Sequence, residues 1–368
     1  MRIGVPKETK NHEYRVGLTP ASVTELVAEG HEVWVEQGAG QAIDFTDAEY
    51  SSAGAKLVNA ATAFGAELVI KVKEPSLPEC QRLDADQVLF TYLHLAAAQE
   101  QARALLASGC TAIAYETVEN SQGQLPLLSP MSEVAGRMSI QVGANALQKS
   151  SGGRGTLLGG VPGVAPGKVT ILGGGMAGVN AAYMATGLQA DVTILDKSVD
   201  RLRQLDQEFA GRAKVLMASQ DNVATAVRQA DLVVGAVLVP GAAAPKLVDR
   251  ALLREMKQGA VLVDISIDQG GCFATSRPTT HEEPTFIEEG VVHYCVTNMP
   301  GGVARTSTEA LNNVTLPYIK QLANKGWRRA LAEDSGFAKG LNVHAGTLAH
   351  DAVARALGMP CATLGLAA

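Results

Sequence analysis

Four residues of this chain lie at the ends of short apolar runs or in the loops that follow them and have the chemistry to handle a small carboxylate. Arg15 lies in the loop NHEYRVGLTP, Lys73 ends LVIKVK, His94 ends QVLFTYL, and Asp268 lies in SIDQGG after the run AVLVDI. A guanidinium can grip a carboxylate in a bidentate fork. An ammonium can polarise a carbonyl oxygen. An imidazole, with an ordinary pKa of about 6.5, can take and return protons near neutrality. A second carboxylate can stabilise a developing cation. Such a set suits bond changes at a carbonyl or imine carbon beside a carboxylate. Blander roles stay open for each residue from the sequence alone. Arg15 could belong to a surface ion pair, and Lys71 and Lys73 share a strand face that could be solvated. His94 could cap a turn or fill a core, and Asp268 could only shape the turn before Gly270-Gly271.

The strongest local motif is Gly173-Gly174-Gly175-Met176-Ala177-Gly178, which satisfies GxGxxG. A buried-type strand, Val169–Leu172, precedes it, and a helix-forming run, Val179–Gly187, follows. In that setting the first glycine permits the turn, the second lets a pyrophosphate approach the backbone, and the third lets helix and strand pack closely. The helix N-terminus attracts the phosphate charge. The next strand, Val192–Leu195, ends in Asp196, where a carboxylate accepts hydrogen bonds from ribose hydroxyls and repels a 2′-phosphate. The reading is NAD over NADP, with Lys197 and Arg201 as nearby cations that could partly compensate.

Positioning these residues takes two alternating regions. In the first, strands are expected at Arg2–Val5, His31–Glu36, Leu68–Lys73, Gln87–Leu93 and Thr111–Val118. Thr19-Pro20 opens a helix that stops at Gly30, and Gln99–Ser108 forms another that stops at Gly109. A helix-like run, Glu133 to Gln148, precedes a Gly/Pro-rich connection, Gly152–Gly167. In the second region strands are expected at Val169–Leu172, Val192–Leu195, Leu232–Val237, Ala260–Ile265 and Val291–Val296. The tail reads as helical over Ser307–Lys325 and Asp351–Leu357, without strands of its own, and is expected to pack back on the first region. The fold class is therefore α/β with two Rossmann-like domains. One is a discontinuous substrate domain of residues 1–128 and 303–368, and the other a nucleotide domain of 129–302.

Composition sets outer limits. A chain of 368 residues, 46% hydrophobic, can bury two cores. A net charge of −6 without a Lys/Arg run excludes a basic nucleic-acid footprint and gives no anionic membrane partner. Five scattered cysteines without a CxxC pair give no disulfide framework and fit a reducing, cytoplasmic setting. The opening MRIGVPKETK lacks the apolar core of a signal peptide. No apolar run reaches the roughly 18 residues of a membrane span.

Longer segments carry a family likeness. IGVPKETKNHEYRVGLTP, VKEPS, FTYLHLAA, PMSEVAGR, VDISIDQGGCFATSRPTT, VTNMPGGVARTST and PYIKQLANKGW together resemble the alanine dehydrogenase family, over essentially the whole length. The resemblance implies reversible, NAD-linked oxidative deamination of L-alanine to pyruvate and ammonium, in a cleft between two domains of a cytoplasmic homohexamer. It implies that Arg15, Lys73, Met131 and Asn298 contact substrate and that His94 and Asp268 are catalytic. It further implies cofactor contacts from Ser132, Gly173, Gly175, Met176, Ala177, Gly178, Asp196, Arg201, Val237, Leu238, Ile265, Ser266, Ile267, Asp268, Arg277, Val296, Thr297, Asn298 and Met299. Some members hold a metal through Glu and His in the tail. Here those positions are Gln321 and Lys325, and no metal is expected. The rival readings are a transhydrogenase nucleotide subunit and a non-catalytic NAD-binding protein.

Replacing Asp196 by Ala should weaken NAD and raise the relative use of NADP, because the repulsion of a 2′-phosphate is lost while Lys197 and Arg201 stay. Steady-state kinetics with both nucleotides measures this, and an unchanged preference would remove Asp196 from the nucleotide site.

Overall fold

A computed structural model describes residues 1–237, 244–362 and 365. The chain divides into two compact units, Met1–Met131 with Val303–Ala368, and Ser132–Gly302. The fold class is the expected one, two α/β units, each built on a sheet whose strands are mainly parallel.

The first unit contains β1 (Arg2–Val5), β2 (Glu32–Glu36), β3 (Lys56–Val58), β4 (Leu68–Ile70), β5 (Val88–Thr91) and β6 (Thr111–Ala114). These six pair in parallel in the order 3-2-1-4-5-6. Strands such as LVI and VLFT are buried along their whole length, so they read as continuous apolar runs without alternation. The helix Pro20–Ala28 opens as expected, with the Thr19 hydroxyl accepting from the Ser22 amide (3.2 Å) and Pro20 at the first helical position.

The second unit contains β7 (Lys168–Leu172), β8 (Asp191–Asp196), β9 (Lys214–Met217), β10 (Leu232–Gly235), β11 (Val261–Asp264), β12 (Thr285–Glu288) and β13 (Val291–Tyr294). The parallel order β9-β8-β7-β10-β11-β13 repeats the 3-2-1-4-5-6 pattern, with β12 added antiparallel at the edge. In such sheets the order reverses beside the first strand, and ligands bind beyond the carboxyl ends of the strands at that switch point.

The tail departs from the expectation. It is not all helical: β14 (Leu341–His344) pairs antiparallel with β6, and β15 (Thr347–Leu348) pairs with β14. Leu341 and Val343 are buried by this pairing. A four-residue run is too short for its period to stand out, and β14 gains its partner only once β6 is in place. For similar reasons the three-residue β3, the largely exposed β9 and the edge strand β12 carry no clear signal in the sequence. The strand expected over Leu68–Lys73 also ends early, at Ile70. Beyond it the Val72 and Lys73 amides turn to the Glu8 carboxylate.

No helix among the described residues is long and apolar enough to cross a membrane. Cys80, Cys110, Cys272 and Cys295 are buried, and burial pushes each thiol above its ordinary pKa. A thiolate nucleophile is therefore disfavoured at all four.

His293 on β13 is fully buried between the Thr275 hydroxyl (2.8 Å) and the Val291 carbonyl (3.0 Å), stacked on Phe286. Burial holds its pKa below the ordinary value. The unfolded chain thus binds the proton more readily, and stability should fall as pH drops from about 6.5 through the folded value. Urea midpoints should be lower at acidic than at neutral pH, and His293→Gln should shrink that difference. An unchanged difference would contradict the assignment.

Candidate active site

In the first unit Arg15, Lys73 and His94 lie beyond the carboxyl ends of β1, β4 and β5, the first two of which flank the switch point. Arg15 follows β1. It is buried, and its Nε donates to Glu13 Oε1 at 2.7 Å while Nη2 pairs with Glu13 Oε2. Nη1 lies 3.1 Å from the Met131 sulfur, which brings two of the expected substrate residues together. Burial opposes the guanidinium charge, but the Glu13 bonds outweigh it and raise the Arg15 pKa. A surface ion pair is thereby excluded for Arg15.

Lys71 is not solvated either. It is buried, with Nζ 3.1 Å from Glu8 Oε2 and 3.6 Å from Glu79 Oε1. Burial works against its charge, and the two carboxylates more than compensate. Glu8 also accepts from the amides of Val72 (2.7 Å) and Lys73 (3.3 Å). The Lys73 carbonyl accepts from Thr91 on β5 at 3.0 Å. The backbone of Lys73 is therefore held from both sides, so its side chain starts from a defined point.

His94 follows β5, on the strand paired with β4. Its φ is +48°, a left-handed conformation that costs a non-glycine residue free energy and persists only when neighbours enforce it. The enforcing group is Glu116, beyond β6. Its carboxylate accepts from the amides of His94 (2.6 Å) and Leu93 (3.2 Å), and lies 3.9 Å from the His94 Nδ1. Tyr92 stacks parallel to the imidazole with centroids 5.7 Å apart. The ring itself is about half exposed, so it is not a core histidine, and although His94 holds the N-cap position of the 3-10 turn Leu95–Ala97 its side chain makes no capping hydrogen bond there.

In the second unit the Gly173–Gly178 turn joins β7 to the helix Met176–Gly187. No side chain caps that helix at Gly175, so its first amides point at the space a phosphate would take. A Cβ added at Gly175 would meet nothing, whereas one at Gly178 would overlap the Gly173 carbonyl oxygen. The second glycine thus leaves room for a ligand and the third makes close packing possible, which fits a dinucleotide. Asp196 ends β8, and its two oxygens accept from the Gly174 and Ser198 amides, both at 2.8 Å. Arg201 donates to the Gly174 carbonyl at 2.6 Å, with its pairing to Gln204 on the other side. Ala218 donates its amide to the Asp196 carbonyl, and the Ser219 hydroxyl beside it caps the next helix.

Several of the remaining cofactor candidates also stand beyond carboxyl ends. Val237 follows β10, and its carbonyl accepts from the Ser266 hydroxyl at 2.7 Å. Ile265, Ser266, Ile267 and Asp268 form a short 3-10 turn after β11, with Asp268 exposed. Val296, Thr297, Asn298 and Met299 follow β13, where Asn298 has φ +60° and the Thr297 amide bonds to the Thr279 carbonyl. Ser132 and Met131 lie in the helix Ser129–Ala146. Arg277 stacks its guanidinium over Phe286, 4.0 Å from the ring centroid. Leu238 lies outside the described residues.

Sequence reasoning missed the residues that hold the others: Glu8, Glu13, Glu116 and Asp264. One signal was available. VLVDI places an acid inside an apolar strand, and Asp264 proves fully buried.

A glycine turn of the dinucleotide type on one α/β unit, and a guanidinium, an ammonium and an imidazole beyond the carboxyl ends of another, fit the class of nucleotide-dependent oxidoreductases. Comparison with known proteins narrows this. The family models "Alanine dehydrogenase/PNT, N-terminal domain" and "Alanine dehydrogenase/PNT, C-terminal domain" match residues 4–135 and 139–351. The chain belongs to the alanine dehydrogenase/PNT family. It is 59% identical over 361 residues to an alanine dehydrogenase of Halomonas elongata, covering 98% of this chain and 97% of that one. A solved L-alanine dehydrogenase superposes with a TM-score of 0.95 at 54% identity, over 97% of this chain and 99% of the other. A transhydrogenase structure from Sinorhizobium meliloti gives 0.81 at 25% identity, over 96% and 100%.

The two glycines separate folding from binding. Gly175→Ala should keep the melting temperature and lose NADH affinity, since the new methyl occupies only ligand space. Gly178→Ala should lower the melting temperature itself. Thermal melts and NADH fluorescence titration check both, and intact NADH binding in Gly175→Ala would contradict the phosphate assignment.

Proposed function

We propose that this chain catalyses the reversible, NAD-dependent oxidative deamination of L-alanine to pyruvate and ammonium. The observation that carries the reading is the set Arg15, Lys73 and His94 beyond the carboxyl ends of the neighbouring strands β1, β4 and β5, in a chain 59% identical to an alanine dehydrogenase. Gly173, Gly175, Met176, Ala177, Gly178, Asp196 and Arg201 would hold the cofactor, joined by residues after β10, β11 and β13. NAD, when bound, supplies the hydride acceptor.

Arg15, its plane fixed by Glu13, holds the substrate carboxylate. Lys73 holds the oxygen that becomes the carbonyl of pyruvate. Once the alanine ammonium has given a proton to solvent, loss of hydride from Cα leaves an iminium, and Asp268 stabilises that cation. Water then adds to the iminium carbon, and His94 takes the proton that the water gives up. The resulting carbinolamine collapses: His94 returns a proton to the departing amine, the C–N bond breaks, and the hydroxyl oxygen becomes the carbonyl as its proton passes to His94 and on to the released ammonia. Over the cycle, alanine, NAD and water yield pyruvate, ammonium, NADH and a proton. The homohexameric assembly and the cytoplasmic setting accompany this reading on the family resemblance.

A transhydrogenase-type role is the second reading, favoured by the superposition at 25% identity. The test separates them. L-alanine and NAD alone should generate NADH, whereas neither a transhydrogenase subunit nor a non-catalytic binder forms NADH from them. His94→Ala should lower kcat by a factor on the order of 10²–10⁴, the usual loss for a general acid–base, and should leave NADH binding intact. The acidic limb of the deamination pH profile should vanish with it. Near-normal turnover with an unchanged profile would return His94 to a structural role.

A further inference from the structure

The loop that carries Asp268 is clamped by two opposite charges, neither of which belongs to the substrate, cofactor or proton-moving set. It leaves β11 at Asp264, turns through Ile265–Gln269 and returns through Gly270, Gly271 and Cys272. Asp264 takes its donors. The buried carboxylate accepts from the Ser266 amide (3.0 Å), the Cys272 amide (2.9 Å) and the Ser276 hydroxyl (2.5 Å). Lys246 takes its acceptors. Its ammonium donates to the carbonyls of Gly270 (2.6 Å), Gly271 (2.8 Å) and Phe273 (3.1 Å). An ammonium has three N–H donors, and three carbonyls converge on this one.

Gly270 and Gly271 have φ of +86° and +75°. Two glycines in sequence are the least restrained backbone a chain can offer, and they sit immediately after the Asp268-Gln269 step. Two backbone bonds run beside the ammonium, from Ala244 to the Gln269 carbonyl (3.1 Å) and from Leu247 to the Cys272 carbonyl (2.7 Å). Asp264 thus holds both ends of the loop through amides, the Gly270 and Gly271 amides return to the Ile267 (2.9 Å) and Ser266 (3.0 Å) carbonyls, and Lys246 takes the glycine carbonyls on the outer side.

We propose that Lys246 is a positioning residue for catalysis: its ammonium fixes the Gly270-Gly271 arm and thereby the place of the Asp268 carboxylate. A carboxylate that stabilises a developing cation works best when it is already in place before the charge forms. The inference rests on the assignment of Asp268 as a catalytic group. Lys246 itself is exposed on the surface, so removing its charge leaves the core untouched.

The test is a double-mutant cycle of Lys246→Met, Asp268→Asn and both together, measured as kcat for L-alanine deamination, NADH dissociation constant and melting temperature. Methionine keeps an unbranched apolar stem and removes the ammonium. Lys246→Met is expected to lower kcat between about 10- and 100-fold, the cost of misplacing a catalytic group by about an ångström. NADH affinity and melting temperature should stay close to those of the parent. In the Asp268→Asn background Lys246→Met should cost little more, because both changes act on one element. A slow Asp268→Asn with a normal Lys246→Met, or with fully additive losses, overturns the role of Lys246. So does a kcat loss that tracks lost NADH binding or lost fold. A near-normal Asp268→Asn overturns the catalytic reading of Asp268 itself, and the inference with it.

Discussion

Parallel pairing is the constraint from which the rest follows. When strands run in parallel, all their carboxyl ends come to one edge of the sheet, and the loops leaving that edge are the ones that can gather side chains from distant parts of the sequence. Both units use the order 3-2-1-4-5-6, so both have a reversal beside their first strand. In the first unit that edge collects Arg15, Lys73, His94 and Glu116 from the ends of β1, β4, β5 and β6. In the second it collects the glycine turn, Asp196 and the loops after β10, β11 and β13. On the proposed function, binding and proton transfer fall to these loops, and the buried strands carry the scaffold.

Gathering charge at such an edge has a cost. Moving an ion out of water costs several kcal/mol after relaxation, and a buried pair is often no more stable than apolar residues of the same volume. Stability alone therefore does not explain why Glu8, Glu13, Arg15, Lys71 and Glu79 are all buried in this unit. Their bonds do explain it. Glu13 fixes the Arg15 fork, and Glu8 reaches past Lys71 to the amides of Val72 and Lys73. Lys71 keeps Glu8 from being an isolated buried charge. Each buried ion offsets another, and Glu13 and Glu8 also orient the Arg15 side chain and the Lys73 backbone. Asp264 follows the same logic in the second unit, where burial raises its pKa and three donors hold its carboxylate in place.

Much of this architecture is legible in the amino-acid sequence. The apolar runs announce the central strands, Thr19-Pro20 and Gly109 mark helix ends, and the glycine turn with Asp196 marks the nucleotide site. Lys73 and His94 stand out because each is a polar residue that ends an apolar run, and Arg15 because a guanidinium in the loop after β1 is the side chain best suited to grip a carboxylate. The supporting acids do not stand out. Glu8, Glu13 and Glu116 lie in loops, where a carboxylate bonded to backbone amides looks like any solvated one. Lys246 reads as a surface lysine, and only the convergence of three carbonyls on its ammonium separates it from one. β14 is hidden because its pairing partner, β6, lies more than 220 residues earlier in the chain. Local patterns report which way a residue faces, and they do not report which distant group it meets.

The central claim is that the hydrogen on the alanine Cα moves as hydride to the cofactor while residues of the chain handle only protons. Turnover of L-[2-²H]alanine with NAD, followed by mass spectrometry of the reduced nucleotide, tests it directly. The account predicts that the deuterium is found in NADH, on the nicotinamide ring. Unlabelled NADH, with the deuterium released to water, would contradict it.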